Sequence, residues 1–111
     1  RAHGSLDVGL PTGPNFFLFS DFAYSLKALV HAGFVSPSCR PVPQVWRISD
    51  PDHVFEAITE GTVRAAATLR AQSPSAREAI RAALRDTVAA HKRGEHFEIP
   101  MPAVLASAVK P

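Results

Sequence analysis

Residues 31–46, HAGFVSPSCRPVPQVW, join the end of a predicted helix to the start of a predicted strand. Gly33 stands where a helix C-terminus favours a left-handed residue, and Phe34 can pack back against the last turn. The three prolines that follow forbid a helix, and prolines at the start of a strand are typical of an edge or a bulge. Apolar and polar positions then alternate, which predicts a strand over 40–48.

The segment before this join has the period of an amphipathic helix. Its apolar residues recur at i, i+4, i+7 and i+8, and Ser20 or Asp21 can accept hydrogen bonds from the free N–H groups at its start. We therefore predict a helix over 20–32. Residues 1–15 have no periodicity and are predicted to be a loop or connection, which leaves 16–111 as the folded portion.

Residues 50–93 are predicted to form a helical insertion, capped at its start by Ser49 or Asp50. Its last helix is the clearest in the chain. Ser73 supplies a cap there, and the proline after it lacks an N–H that would have no partner anyway. Gly94 is predicted to end this helix.

The final strand, predicted over 96–109, is apolar on both faces from Val104 onward. A strand of this kind belongs inside a sheet that is covered from both sides. Only one other strand is predicted, so the sheet that this strand joins is expected to be incomplete in these residues. The predicted fold class is α+β, with an antiparallel pair of strands and three to four helices.

Composition restricts the class of protein. The chain has 111 residues, 46% hydrophobic and 20% charged, which fits one globular domain. No apolar run approaches the ~20 residues that cross a bilayer, and the first residues lack the apolar core of a signal peptide. We expect a cytoplasmic protein without a membrane partner. Cys39 is the only cysteine and has no base beside it in sequence, so it is interpreted as a spectator thiol.

No complete catalytic or metal site is visible in the sequence. The five histidines form no i, i+4 pair, and they are interpreted as surface or helix-capping residues. Gly-x-Ser-x-Gly and a phosphate-binding glycine loop are both absent. We therefore assign no catalytic residue and no metal ligand.

A basic stripe, Arg77, Arg81 and Arg85, recurs at i, i+4 and i+8. Aromatic residues are not interleaved with it and the net charge is only +2. A solvated helix face is the preferred interpretation, and nucleic acid is not expected as a partner.

Aromatic residues are concentrated around the first helix and the first strand. Core packing accounts for most of them, but those left exposed can form the wall of a pocket for an apolar or planar substrate. The candidates for substrate binding are Phe17, Phe19, Tyr24 and Trp46.

Three segments in order, LKALVHAGF, SPSCRPVPQVW and EIPMPAVLASAVKP, resemble the end of a class I S-adenosylmethionine-dependent methyltransferase. The quinone-biosynthesis-like, small-molecule branch is the most similar. GPNFFLFSD resembles the segment that leads into the helix, and TVRAAATLRAQSPSAREAIRAAL resembles an insertion between the last two strands. The resemblance covers about 12–111 and lacks the Rossmann-like half that binds the methyl donor.

The resemblance implies that this chain is the C-terminal, acceptor-side portion of an α/β methyltransferase, inactive alone. S-adenosylmethionine would be the cofactor of the full-length protein, with none expected in this fragment. The expected partners are the missing N-terminal half, a small-molecule methyl acceptor and, by strand addition, a second copy of the chain. The alternative is a free-standing small α+β module for binding or dimerisation.

Overall fold

Four α-helices and two antiparallel sheets make up residues 2–111, the part of the chain that the computed structural model describes. The predicted α+β class is confirmed. In chain order the elements are a 3-10 turn (Leu18–Ser20), α1 (Phe22–His31), β1 (Val35–Val42), β2 (Val45–Ile48), α2 (His53–Gly61), α3 (Arg64–Arg70), α4 (Pro74–Ala89), β3 (Lys92–Arg93), β4 (His96–Pro100) and β5 (Ala103–Val109).

The chain separates into two compact units, where the sequence suggested a single folded portion over 16–111. The helical unit comprises 2–11 and Trp46–Ile99, and the sheet unit comprises Thr12–Val45 and Pro100–Pro111. The helical unit contains α2, α3, α4 and the sheet β2-β4-β3, and the sheet unit contains α1 and the sheet β1-β5.

Helix α1 has the ends that its sequence predicts. The Asp21 carboxylate accepts a hydrogen bond from the Tyr24 N–H at 2.9 Å. Gly33 has φ of +87°, and the Phe34 N–H donates to the Leu29 carbonyl at 3.1 Å. Together with the bond from the Gly33 N–H to the carbonyl three residues earlier, this is a Schellman motif.

The predicted strand 40–48 is two strands, β1 and β2, and the first begins earlier, at Val35. Likewise 96–109 is divided into β4 and β5. Both breaks contain a proline, which cannot donate to a strand ladder. The two breaks are joined by a hydrogen bond in which the Met101 N–H donates to the Gln44 carbonyl at 2.8 Å.

Strand β1 pairs antiparallel with β5 over the full length of both strands, from Val35 opposite Val109 to Val42 opposite Ala103. The register shifts between Val35 and Ser38, as expected for a bulge, which is one of the two alternatives that the prolines indicated. Within the bulge, Ser36 has φ of +51°.

The last helix of the insertion begins as predicted and ends earlier than predicted. The Ser73 hydroxyl accepts from the Ala76 N–H at 3.2 Å. The helix stops at Ala89, four residues before the predicted end of the insertion. Lys92 and Arg93 pair with the start of β4 instead, and Gly94, at φ of +61°, turns the chain between these strands.

At the start of the insertion Asp50, one of the two predicted caps, accepts the Asp52 N–H at 2.8 Å. This bond forms a turn before α2, whose own N-cap has no side-chain hydrogen bond. The predicted capping side chain therefore positions the approach to the helix and does not cap it.

Apolar burial is concentrated in the helical unit. Ile48, Ala66, Leu69 and Val88 are buried there. Of the described residues of the sheet unit only Ser25 is buried, and its hydroxyl donates to the Phe19 carbonyl at 2.8 Å. The sheet unit instead exposes a series of large apolar side chains: Phe16, Phe17, Phe19, Phe22, Tyr24, Val30, Phe34, Val35, Val45, Met101, Leu105 and Val109.

Candidate functional site

An aromatic cluster lies at the start of α1 in the sheet unit. The Phe19 and Tyr24 rings meet edge to face, with centroids 5.3 Å apart. The 3-10 turn positions Phe19, and the Asp21 cap fixes the first turn, which carries Tyr24. Phe17 packs in the same geometry on Phe16 at 5.1 Å.

The four predicted substrate-binding residues are not one cluster. Phe19 and Tyr24 touch each other, and Phe17 is paired with Phe16. Phe19, Tyr24 and Phe17 are 62%, 42% and 69% exposed, which leaves their rings open to a ligand. Trp46 lies in β2 of the helical unit and is half-buried.

Two hollows flank the Phe19–Tyr24 pair. One, of about 330 Å³, lies between α1 and β5 and is lined by Phe19, Ser25, Ala28, Leu29, Val104 and Ala106. The other, of about 430 Å³, lies along α1 and is lined by Tyr24, Lys27, Ala28, His31 and Ala32. Aromatic walls with a few polar groups suit a planar organic molecule that carries a polar substituent.

Strand β5 leaves one face and one edge uncovered within the sheet unit. Val104 and Ala106 face α1, as the lining of the smaller hollow shows. Alternation along a strand places Leu105 and Val109 on the opposite face, where they are 45% and 58% exposed. Among residues 2–111, β1 is the one strand that pairs with β5. The second edge of β5 therefore presents free backbone N–H and C=O groups.

The arginine stripe of α4 is partly neutralised in the structure. Arg81 donates to both carboxylate oxygens of Asp52, at 3.2 and 2.8 Å, and Arg85 donates to the same two oxygens. These two arginines lower the pKa of Asp52 from 3.8 to about 2, with Arg85 the larger cause. The Arg81 guanidinium also lies 5.8 Å from the centre of the Phe55 ring. This cluster could not be predicted from the sequence, because no local spacing links Asp52 to α4.

A second ionic group lies across β2 and β4. Glu98 accepts from His96 at 3.0 Å and from Arg47 at 2.8 Å. Both interactions lower the pKa of Glu98, His96 more than Arg47. These bonds link side chains of two neighbouring strands of one sheet.

No grouping of His, Cys, Asp and Glu side chains within residues 2–111 could hold a metal ion. Cys39 lies in β1 opposite Ala106 and is half-buried. Over the same range, no helix combines the length and the hydropathy that a bilayer crossing requires. The structure thus adds no catalytic or metal candidate to the sequence analysis.

The described residues do not fit an S-adenosylmethionine site. A class I donor site needs a glycine turn between a strand and the helix that follows it. The glycines with positive φ are Gly9 in a loop, Gly33 at the end of α1 and Gly94 between β3 and β4. None of these three joins a strand to a following helix, so no donor contact is assigned to these residues.

Comparisons of the chain with protein-family models, with curated protein sequences and with solved structures found no match. The resemblance to methyltransferases therefore stays a prediction from the sequence.

Proposed function

We propose that this chain is the C-terminal, acceptor-side portion of an S-adenosylmethionine-dependent methyltransferase and is inactive alone. The observation that carries the proposal is β5, a strand apolar on both faces, paired along one edge and open along the other. The order helix, strand, helical insertion and final antiparallel strand supports the same assignment.

The sheet unit needs a cover to be stable. A two-stranded sheet is marginal in water unless further strands or helices cover its apolar face. A half-exposed large apolar side chain forgoes roughly 1 kcal/mol of burial free energy. Summed over the exposed apolar residues of the sheet unit, this is on the order of 10 kcal/mol, comparable to the whole stability of a domain. A donor-binding half that adds strands beside β5 would bury this surface.

The aromatic cluster would form one wall of the acceptor site. Methyl transfer to a small molecule depends mainly on holding its nucleophile in line with the activated methyl group. The exposed rings of Phe17, Phe19 and Tyr24 can hold a planar acceptor by stacking and apolar contact. Trp46, which lies on β2 of the helical unit, stays a candidate predicted from the sequence alone. No proton-transfer role is assigned.

The same assignment implies partners and a cellular location for the protein. Its partners would be the donor-binding half and a small-molecule acceptor, and its location the cytoplasm, where a lone cysteine such as Cys39 stays reduced. Nucleic acid is not proposed as a partner. Two arginines of the stripe already bind Asp52, which leaves less positive charge for phosphates.

The test is calorimetric titration of S-adenosylmethionine into this chain and, in parallel, into the product of the whole reading frame that encodes it. We expect no binding heat from the folded chain and one-to-one binding by the whole product. Clear binding by the chain alone would mean that the donor site lies within these residues. No binding by the whole product would contradict the methyltransferase assignment.

A second candidate function is self-association through β5. Its open edge can pair with the same strand of a second copy, as edge strands do. Sedimentation of the chain over a range of concentrations distinguishes the two candidates. A dimer dissociated by Leu105→Lys, but not by Val63→Lys at an exposed site of the helical unit, would favour the free-standing module.

A further inference from the structure

We propose that the helical unit holds a binding site for an uncharged, single-ring apolar molecule, closed by the N-terminal segment. This inference does not rest on the methyltransferase proposal, because the site lies wholly within the helical unit. The cavity has a volume of about 280 Å³. A cavity of ~150 Å³ lined by aliphatic and aromatic side chains already binds benzene, so this one can hold a substituted ring.

The walls of the cavity come from three helices. Ile58 of α2, Leu69 of α3, and Ile80 and Leu84 of α4 supply its aliphatic lining, with Ala65 among them. Leu69 is buried, Ile58, Ile80 and Leu84 are half-buried, and Ala65 is exposed. Entry therefore lies on the side of Ala65 and the N-terminal segment.

The polar groups around the cavity already have partners. The Thr68 hydroxyl donates to the Arg64 carbonyl at 3.0 Å. The Gln72 amide donates to the carbonyls of Ser5 and Thr68, at 2.8 and 2.9 Å. No charged side chain lines the cavity. A charged ligand would lose its hydration without gaining a partner, and this favours an uncharged apolar one.

Residues 4–11, which we call the strap, cover part of the cavity and are held there by Gln72. The Ser5 N–H donates to Gln72 Oε1 at 2.9 Å while the Ser5 carbonyl accepts from Gln72 Nε2, so one amide holds both polar groups of one residue. A side chain at Gly4 would meet Gln72 Oε1 at 2.7 Å and Ile80 Cδ1 at 3.2 Å. A side chain at this position would therefore require the Gln72 amide to shift from its hydrogen bonds with Ser5.

The segment has a second attachment. The Arg64 guanidinium, at the start of α3, donates to the Pro11 carbonyl. Residues 4–11 are thus fixed near both ends to the helices that form the cavity. Release of Gln72 would free this segment from the mouth of the cavity.

Toluene is a suitable probe because it is uncharged and has one ring. We expect titration with toluene to produce saturable NMR shifts in the methyl groups of Ile58, Leu69, Ile80 and Leu84. The methyl groups of Ile48 and Val88, which are buried in the helical unit but do not line the cavity, should shift far less. Equal shifts in the lining and in these two control residues, or shifts that grow without saturation, would overturn the proposal.

Ala65→Phe should fill the mouth of the cavity and raise the Kd for toluene at least roughly tenfold, since a ring then occupies the ligand's volume. Ala82→Phe, at an exposed position of α4 outside the lining, is the matched control and should leave the Kd unchanged. Equal Kd values for toluene in the two variants would contradict binding in this cavity. Benzoate should bind more weakly than toluene, and equal binding would contradict its apolar character.

Gln72→Glu tests the strap. A carboxylate cannot donate to the Ser5 carbonyl, so we expect toluene to dissociate roughly fivefold faster, as the loss of one neutral hydrogen bond predicts. Gln44→Glu, at an exposed position of the sheet unit, should not change the rate. An unchanged rate in Gln72→Glu would show that the segment does not close the site.

Discussion

The two units of this chain use similar amounts of apolar sequence in different ways. The helical unit buries Ile48, Leu69 and Val88 within itself, whereas the sheet unit buries no apolar residue among those described. Three helices enclose a core because each presents a stripe to the others. One helix on two strands cannot cover both faces of the sheet, so Leu105 and Val109 stay exposed. The comparison indicates that the helical unit is stabilised by its own core, whereas the sheet unit leaves its large apolar side chains exposed.

The largest effect should come from truncating leucines in the two units. Leu69→Ala removes a side chain that is 8% exposed and should lower the free energy of unfolding by about 2–5 kcal/mol. Leu105→Ala removes one that is 45% exposed and should cost roughly 1 kcal/mol. Urea unfolding followed by circular dichroism measures both. Equal costs would contradict the difference between the units.

Glycine substitutions provide the next comparison. Gly33 ends α1 with φ of +87°, so Gly33→Ala should cost about 1–2 kcal/mol because an L-residue is strained in that conformation. Gly61, the last residue of α2, has no positive φ and nothing within 4 Å of a Cβ at its position. Gly61→Ala should therefore be neutral or stabilising by up to roughly 1 kcal/mol. Thermal unfolding of the two variants tests these opposite signs.

Ser36→Gly should stabilise the sheet unit slightly. Ser36 has φ of +51° in the β1 bulge, and glycine removes the steric cost, a gain of about 1 kcal/mol or less. Ser38→Gly is the control, since Ser38 pairs with Ser107 in regular strand and shares a hydroxyl hydrogen bond with it at 2.9 Å. It should lower stability. Urea midpoints that moved in the same direction would show that the bulge carries no strain.

The smallest effect should come from the ion pairs of Asp52, because both arginines stay partly exposed and solvent screens their charges. The folded pKa of Asp52 is about 2, below its ordinary 3.8. Ionised Asp52 therefore contributes to the free energy of unfolding above pH 3.8, and this contribution is lost as the pH falls towards 2.

Asp52→Asn should reduce the loss of stability between pH 4 and pH 2, as measured by urea midpoints at several pH values. Asp86→Asn, at an exposed position of α4, serves as the control. Identical acid profiles for the wild type and Asp52→Asn would show that the arginines do not hold this carboxylate.

Local signals in the sequence predicted the ends of the helices best. Asp21, Gly33 and Ser73 take the capping positions expected of them, since a cap depends on residues within one turn. The predicted bounds were wrong at the strand breaks and at the end of α4. Each strand break contains a proline, which cannot donate to a strand ladder. Gly94 can end a helix or turn a hairpin, and the choice depends on whether a distant strand accepts Lys92 and Arg93.

Of the candidate site, the sequence supplied the residue types, and the structure supplied their pairing. In the structure the Phe19 ring contacts Tyr24 and the Phe17 ring contacts Phe16, whereas Trp46 belongs to the helical unit. The strap held by Gln72 was invisible in the sequence, because Ser5 and Gln72 are 67 positions apart. Contacts at such separations leave no periodic pattern.

By itself, the sequence determined the α+β class, the caps at both ends of α1 and at the start of α4, and the doubly apolar last strand. These follow from turn chemistry and from the periods of helices and strands, which act over a few residues. Only the tertiary structure decided which strands pair, which arginines bind Asp52, and which unit keeps a core. Those outcomes depend on contacts between distant segments, where the gain from burial must exceed the entropy lost in closing long loops.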